Sequence, residues 1–184
     1  MTNAWELRKF NKIVNLSRGL TYKPKDIRKR GIRVLRSSNI SENIFKISDE
    51  DVFVDPSVVN ISLVSKNNIL ITAANGSSKL VGKHALITTA GAAVPGGFML
   101  VAKSDSPFFV NSLMSSPWYA KFISTFVSGG NGAIGNLKKG DLENQRVYIP
   151  NITEQQKIGS FFKHLDELIT LHQRRRKTIN NRMD

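Results

Sequence analysis

Ile149-Pro-Asn-Ile-Thr-Glu-Gln-Gln-Lys-Ile-Gly-Ser-Phe-Phe-Lys-His-Leu-Asp-Glu-Leu-Ile-Thr-Leu-His-Gln-Arg-Arg-Arg-Lys177 is the best-specified stretch of this sequence, and only seven residues follow it. Pro150 marks a boundary, Thr153 can cap a helix, and Gln156 stands three residues on, completing a Thr-x-x-Gln capping box. Glu154 in the first turn and Arg174–Lys177 towards the end complement the helix dipole. Ile158, Phe161, Leu165, Leu168, His172, Arg175 and Ile179 recur in steps of three and four, with Phe162 and Ile169 widening the stripe. A helix from 153 to about 180 would be roughly 40 Å long at 1.5 Å per residue. A body of ~150 residues has a radius of gyration of only about 15 Å. The first two turns can fold back on such a body; beyond Leu165 the spacing calls for an outside partner. The apolar stripe therefore divides the chain into a globular region, 1–150, and a dimerisation or spacer helix in 151–184.

Working back towards the N-terminus, the pattern from Ile32 to Ser104 is mostly β. IRVLRSSNI, NISLV, NILITAA, LVGKHALITTA and FMLVAK are short β-rich runs separated by Asn, Gly, Ser and Pro. From Ser106 it turns helical, and both SPFFVNSLMSS and SPWYAKFISTFVS open on Ser-Pro, a good helix start. A glycine-rich loop, a short helix or turn in KKGDLENQ and a final strand in RVYIP complete the body. The N-terminal WELRKFNKIVNLSRGLTYKPKDIRKRGIRVLRSSNI reads as a short helix, a turn at Arg18-Gly19, a basic loop and then a strand. The expected fold is α+β, a twisted and largely antiparallel sheet followed by a long helix of coiled-coil type.

Charge is unevenly placed. The formal net charge is +13, and residues 1–36 hold eleven Lys/Arg against Glu6 and Asp26. Residues 37–171 hold eleven of each sign, and the last thirteen hold five Lys/Arg against Asp184. A neutral body with basic ends fits a polyanion, nucleic acid first; a well-solvated surface is the plain alternative. Lys23, Lys25, Arg28, Arg33 and Arg36 are too dense to be spread evenly, and Arg33 or Arg36 could enter a groove while the others meet phosphates. Asn39 lies at the end of that stretch. In the hairpin AANGSSKLVGK, residues Asn75, Ser77, Ser78, Lys79 and Lys83 offer donors and acceptors for base edges and phosphates, and a plain hairpin remains the other reading.

Catalytic and cofactor motifs fail on context. GNGAIG at 130–135 matches G-x-G-x-x-G, but a helix precedes it where a strand is required, so Asn131 reads as part of a flexible or DNA-facing loop. GSSKLVGKH has five residues between its glycines instead of four, and His84 where a P-loop has Ser or Thr. The three histidines, His84, His164 and His172, have no zinc-site spacing, and there is no cysteine, so no metal site is expected. Asp49-Glu50-Asp51 reads as a solvated loop. No apolar run reaches the ~18 residues of a membrane span, and MTNAWELRKF has no signal-peptide core. A cytoplasmic, non-enzymatic protein is the expectation.

Taken in order, Trp5, GLTYKPKDIRKRGIRVLRSSNI, NILITAANGSSKLVGKHALI, GGFMLVAKSD, GGNGAIGNLKKGDL and VYIPNITEQQKIGSFFKHLDELI resemble half of a type I restriction-modification specificity subunit. The resemblance implies one target-recognition domain reading one half of a split double-stranded DNA site, and one of the two helices that pack antiparallel in such subunits. It implies no catalysis and no cofactor of its own. S-adenosylmethionine would belong to partner methyltransferase subunits, with restriction subunits as further partners. The present sequence departs from the family in having one recognition domain and one helix: it is either a natural half-subunit, which would pair as a homodimer, or a truncated piece of a longer subunit. The alternative is an interaction module, or decoy, that binds the methyltransferase without productive DNA recognition.

Overall fold

The computed structural model describes residues 5–89, 91–127 and 135–180, with backbone alone at 173, 174 and 176–180. Its centre is an antiparallel sheet in which β8 (Ile69–Thr72) lies between β10 (His84–Leu86) and β12 (Met99–Lys103), with β2 (Asn15–Arg18) beyond β12. The ILIT run of β8 is buried throughout, which is why it lacks the polar alternation of a half-exposed strand. Successive side chains still point to opposite faces. Ile69, Ile71, Leu100 and Ala102 join one core with Phe109, Val110 and Met114, while Leu70, Val101 and Met99 join another with Leu35, Ile40 and Phe45.

A second sheet packs beside the first. In it β4 (Ile32–Leu35) runs parallel to β11 (Ala93–Pro95) and antiparallel to β7 (Val52–Val54), which pairs with β3 (Ile27–Arg28). Leu20, Val34, Val54 and Val94 form its core. Two-residue ribbons join β5 (Ile40–Ser41) to β6 (Ile44–Phe45), and β9 (Ala74–Asn75) to β13 (Gly135–Asn136). The architecture is the mixed, mainly antiparallel one expected.

Two local expectations change. Residues Glu6–Lys9 form not a helix but a strand, β1, paired antiparallel with β14 (Arg146–Ile149). The ladder joins positions about 140 apart in sequence, and the exposed β14 edge it covers overrides the local helical pattern. The 60–64 run is no strand; the Val64 N–H donates to the Ala93 carbonyl at 2.9 Å, and Leu63 stays exposed.

The helices are α1 (Pro107–Met114), α2 (Pro117–Phe126), α3 (Lys139–Glu143) and α4 (Ile152–Asn180). Proline opens α1 and α2, where its missing N–H costs nothing. The start of α4 corrects the Thr153–Gln156 box. Asn151 is the cap, its Oδ1 accepting the Glu154 N–H at 3.0 Å. Gln155 is buried, donating to the Pro150 carbonyl at 2.9 Å, and Trp5 Nε1 donates to Glu154 at 3.3 Å. Two local bonds and the long-range one from Trp5 set the helix start ahead of the Thr-x-x-Gln box.

Docking of α4 on α1 depends on Gly159. A Cβ there would stand 2.7 Å from the Phe109 amide nitrogen and 3.1 Å from Phe108 Cβ. Alanine would ordinarily gain about 1 kcal/mol over glycine within a helix, but overpacking against backbone costs about 1–3 kcal/mol. Gly159→Ala is therefore expected to lower Tm by about 3 °C, measurable by thermal circular dichroism; a raised Tm would show that the helix interface yields.

Candidate nucleic-acid interface

The junction of the two sheets is pinned by backbone hydrogen bonds. Leu20 N–H donates to Pro95 O at 2.7 Å, Gly96 N–H to Leu35 O at 2.8 Å, and Gly19 N–H to Met99 O at 3.1 Å. The crossing is so close that a Cβ on Gly19 would lie 1.9 Å from the Gly96 carbonyl oxygen, so only glycine fits. This frame holds open a cleft of about 560 Å³ whose lining includes Tyr22, Ile27, Arg36, Asn75 and Phe98. The Asn75 amide is oriented: its Nδ2 donates to Ser37 Oγ at 3.0 Å and its Oδ1 accepts the Ser77 N–H at 2.9 Å. The Arg36 side chain is exposed and, among the described residues, makes no hydrogen bond or ion pair.

Short basic turns flank the cleft. Pro24, one of its lining residues, belongs to a 3-10 turn capped by Asp26, whose Oδ2 accepts the Lys23 N–H at 2.8 Å; Lys23 and Lys25 are exposed on it. Beyond Asn75 and Gly76 comes a second turn, Ser78–Leu80, presenting Ser77, Ser78 and Lys79 to solvent. Of the expected residues, Arg36 and Asn75 line the concavity, while Lys23 and Lys25 flank its lining residue Pro24 and Ser77, Ser78 and Lys79 follow its lining residue Gly76 along the chain. Lys83 is half-buried where the chain enters β10 and does not line the cleft. Asn131 and the GNGAIG loop up to residue 134 lie outside the described residues.

A family model for the type I restriction modification DNA specificity domain matches residues 3–181. The chain belongs to this family. It is 27% identical over 177 residues to the type I restriction enzyme StySPI specificity subunit of Salmonella potsdam, an alignment covering 92% of this chain and 37% of that relative. The EcoKI specificity subunit of Escherichia coli K12 matches with the same identity and coverage. Among solved structures, an HsdS subunit from Thermoanaerobacter tengcongensis superposes with a TM-score of 0.65 at 12% identity, over 95% of this chain and 40% of that one. A chain from a type I R-M system, solved to describe complex assembly and conformational transition, gives a TM-score of 0.67 at 14% identity, over 95% and 41%. The chain therefore spans about two-fifths of the length of these relatives.

Within this specificity domain, three predicted contacts are committed elsewhere. Asn39 is 1% exposed; it donates to Lys46 O at 2.9 Å and Asp51 Oδ1 at 2.8 Å, and accepts the Arg36 N–H at 2.7 Å. It shapes the turn after β4 that carries Arg36, and its amide is fully used within the fold. The Arg33 guanidinium donates to Asp51 and to Ser48 O, and lies 4.7 Å from the Phe53 ring centroid. Arg33 is therefore a strut, and Asp51, expected in a solvated loop, is its buried counter-ion. Arg28 donates to the Lys25 and Ile27 carbonyls and pairs with Asp55 at 3.0 Å. Hydrogen bonds from Ser57, and secondarily Arg28, hold the Asp55 carboxyl below its ordinary pKa. Density of charge along the sequence is no measure of free charge in the fold. Conversely, sequence reasoning missed Tyr22 and Phe98, whose only signal was an aromatic beside a turn.

His84 is buried with its ring edge-on to Tyr119 at 5.4 Å and Nε2 3.3 Å from Ser115 Oγ. Burial pushes its pKa below the ordinary value, so it packs as a neutral ring. No helix among the described residues is long and apolar enough to cross a membrane.

The second surface of the specificity domain is α4. Gln155 and Gly159 are buried, Ile158 packs on the domain core, and Lys163 Nζ lies 5.2 Å from the Phe108 ring centroid. Ile158 thus belongs to its own domain rather than to a partner interface. At ~100° per residue, the line Phe161–Leu165–Leu168–His172 lies about 150° around the helix from Gln155–Gly159–Lys163. Phe161 is 61% and Leu168 56% exposed; Phe162, Leu165, Ile169 and His172 are exposed too. The side chain of Ile179 lies outside the described residues.

Proposed function

We propose that this chain is the non-catalytic DNA-recognition subunit of a type I restriction-modification system, one copy reading one half of a bipartite double-stranded site. The basic-flanked cleft meets the duplex, and α4 pairs antiparallel with the α4 of a second copy. Methyltransferase subunits, which would carry S-adenosylmethionine, and restriction subunits dock on this assembly. The observation that carries the reading is the direction of the α4 stripe. With the first turns seated on α1, Phe161, Leu165 and Leu168 stay exposed among the described residues, and a second helix would cover them. Since the chain spans about two-fifths of its relatives, two copies supply a pair of recognition domains and a pair of helices. A two-fold dimer imposes a two-fold site.

The test is to sequence methylated positions in cells that carry this chain and its methyltransferase. A split motif with two identical inverted halves is expected. A single uninterrupted motif, or two unlike halves, would exclude the symmetric pair; no sequence-dependent methylation would exclude DNA reading.

A further inference from the structure

Phe98 has the most exposed large apolar side chain among the described residues, at 69%. Its backbone is nevertheless firmly held. Its carbonyl accepts N–H bonds from Ala73 at 2.9 Å and Ala74 at 3.0 Å, and the next residue, Met99, donates to Gly96 O at 2.8 Å. A ring kept in water by a rigid turn gains nothing from burial within the isolated chain, so its value lies in what it meets. The ring shares its cleft with Tyr22, Asn75 and the unpaired Arg36, between turns that carry Lys23, Lys25 and Lys79. Positive flanks around an aromatic wall suit a duplex edge, where phosphates surround the bases.

We propose that Phe98 is a specificity-determining residue, packing on the 5-methyl group of a thymine in the major groove while Arg36 donates to the edge of a neighbouring base. The proposal rests on the reading of the chain as a duplex reader and adds what one position reads. A phenyl ring has neither donor nor acceptor, so the thymine methyl is the one base-edge feature it can discriminate. Intercalation is the other use of an exposed phenylalanine on DNA. That role needs a side chain projecting past its surroundings, whereas Phe98 forms a wall of a cleft with Tyr22 and Arg36.

Selection from a randomised duplex library, using the full chain with its methyltransferase, tests this. The parent chain should select thymine at one position of each half-site. Phe98→Ala should flatten that position alone, and Phe98→Leu should keep it. In the selected duplex, replacing that thymine by uracil should weaken parent binding about fourfold, the value of one buried methyl, and leave Phe98→Ala binding unchanged. Because the ring is solvated, Tm should be the same for all three chains. Uniform weakening by Phe98→Ala, or indifference of the parent to uracil, would overturn the assignment while leaving DNA reading intact. Failure of the parent to select any sequence would remove both.

Discussion

Leu165→Asp combined with Leu168→Asp is expected to leave a monomer at concentrations where the parent chain is paired. Both side chains are exposed in the single chain, so the substitutions remove nothing that holds the domain together, and Tm should match the parent's when both are measured dilute enough to be monomeric. In an antiparallel pair each change occurs twice. Four leucines leaving an interface, at about 1.5–3 kcal/mol each, amount to roughly 6 kcal/mol or more. That is at least about four orders of magnitude in the dissociation constant, before the cost of setting four carboxylates against an apolar seam. Sedimentation or light scattering would show the fall in mass directly. Methylation should fail with it, because a lone half reads half a site. A parent chain already monomeric at high micromolar concentration would remove self-pairing as an explanation of the stripe. His172, exposed on the same line, replaces an apolar side chain and should make that part of the seam the loosest.

Much of the architecture was legible because it is carried by local patterns. The ILIT run, the two Ser-Pro starts and the three-four spacing of α4 each state a period or a boundary that tertiary packing then respects. The errors fall where distant contacts decide. WELRKFNK carries a helical arrangement of side chains, yet β14 captures it as a strand; nothing near Trp5 in the sequence announces Tyr148 as the register partner of Leu7. The α4 cap is the exception: Asn151 and Thr153 are both local cap residues, and Asn151 takes the role by accepting the Glu154 N–H. The candidate site divided along the same line. Arg33 and Arg36 are indistinguishable in IRVLR, but Asp51, fifteen or more residues away, binds one and leaves the other free. In the run FMLVAK, Phe98 stands as the first residue of a strand, and only its solvent exposure separates it from the buried Met99.

Affinity for duplex DNA should fall about 10³- to 10⁵-fold between about 50 and 200 mM salt if six to ten phosphates are contacted. Lys23, Lys25, Arg36 and Lys79 are exposed and would supply four such contacts, with Lys29 and Arg30 exposed on the adjoining loop. Lys25→Ala and Lys79→Ala should each weaken binding on all sequences alike and reduce the slope of log affinity against log salt by about 0.9. Arg33→Ala should behave differently despite sitting in the same basic run. Its loss leaves the buried Asp51 carboxylate without its counter-ion, costing about 2 kcal/mol of stability, while the salt slope of the folded fraction stays unchanged. Comparing slope with Tm across the three variants therefore separates charges that face the duplex from charges that hold the fold. Binding insensitive to salt, or an Arg33→Ala slope change as large as that of Lys79→Ala, would place the duplex on a different surface from the cleft.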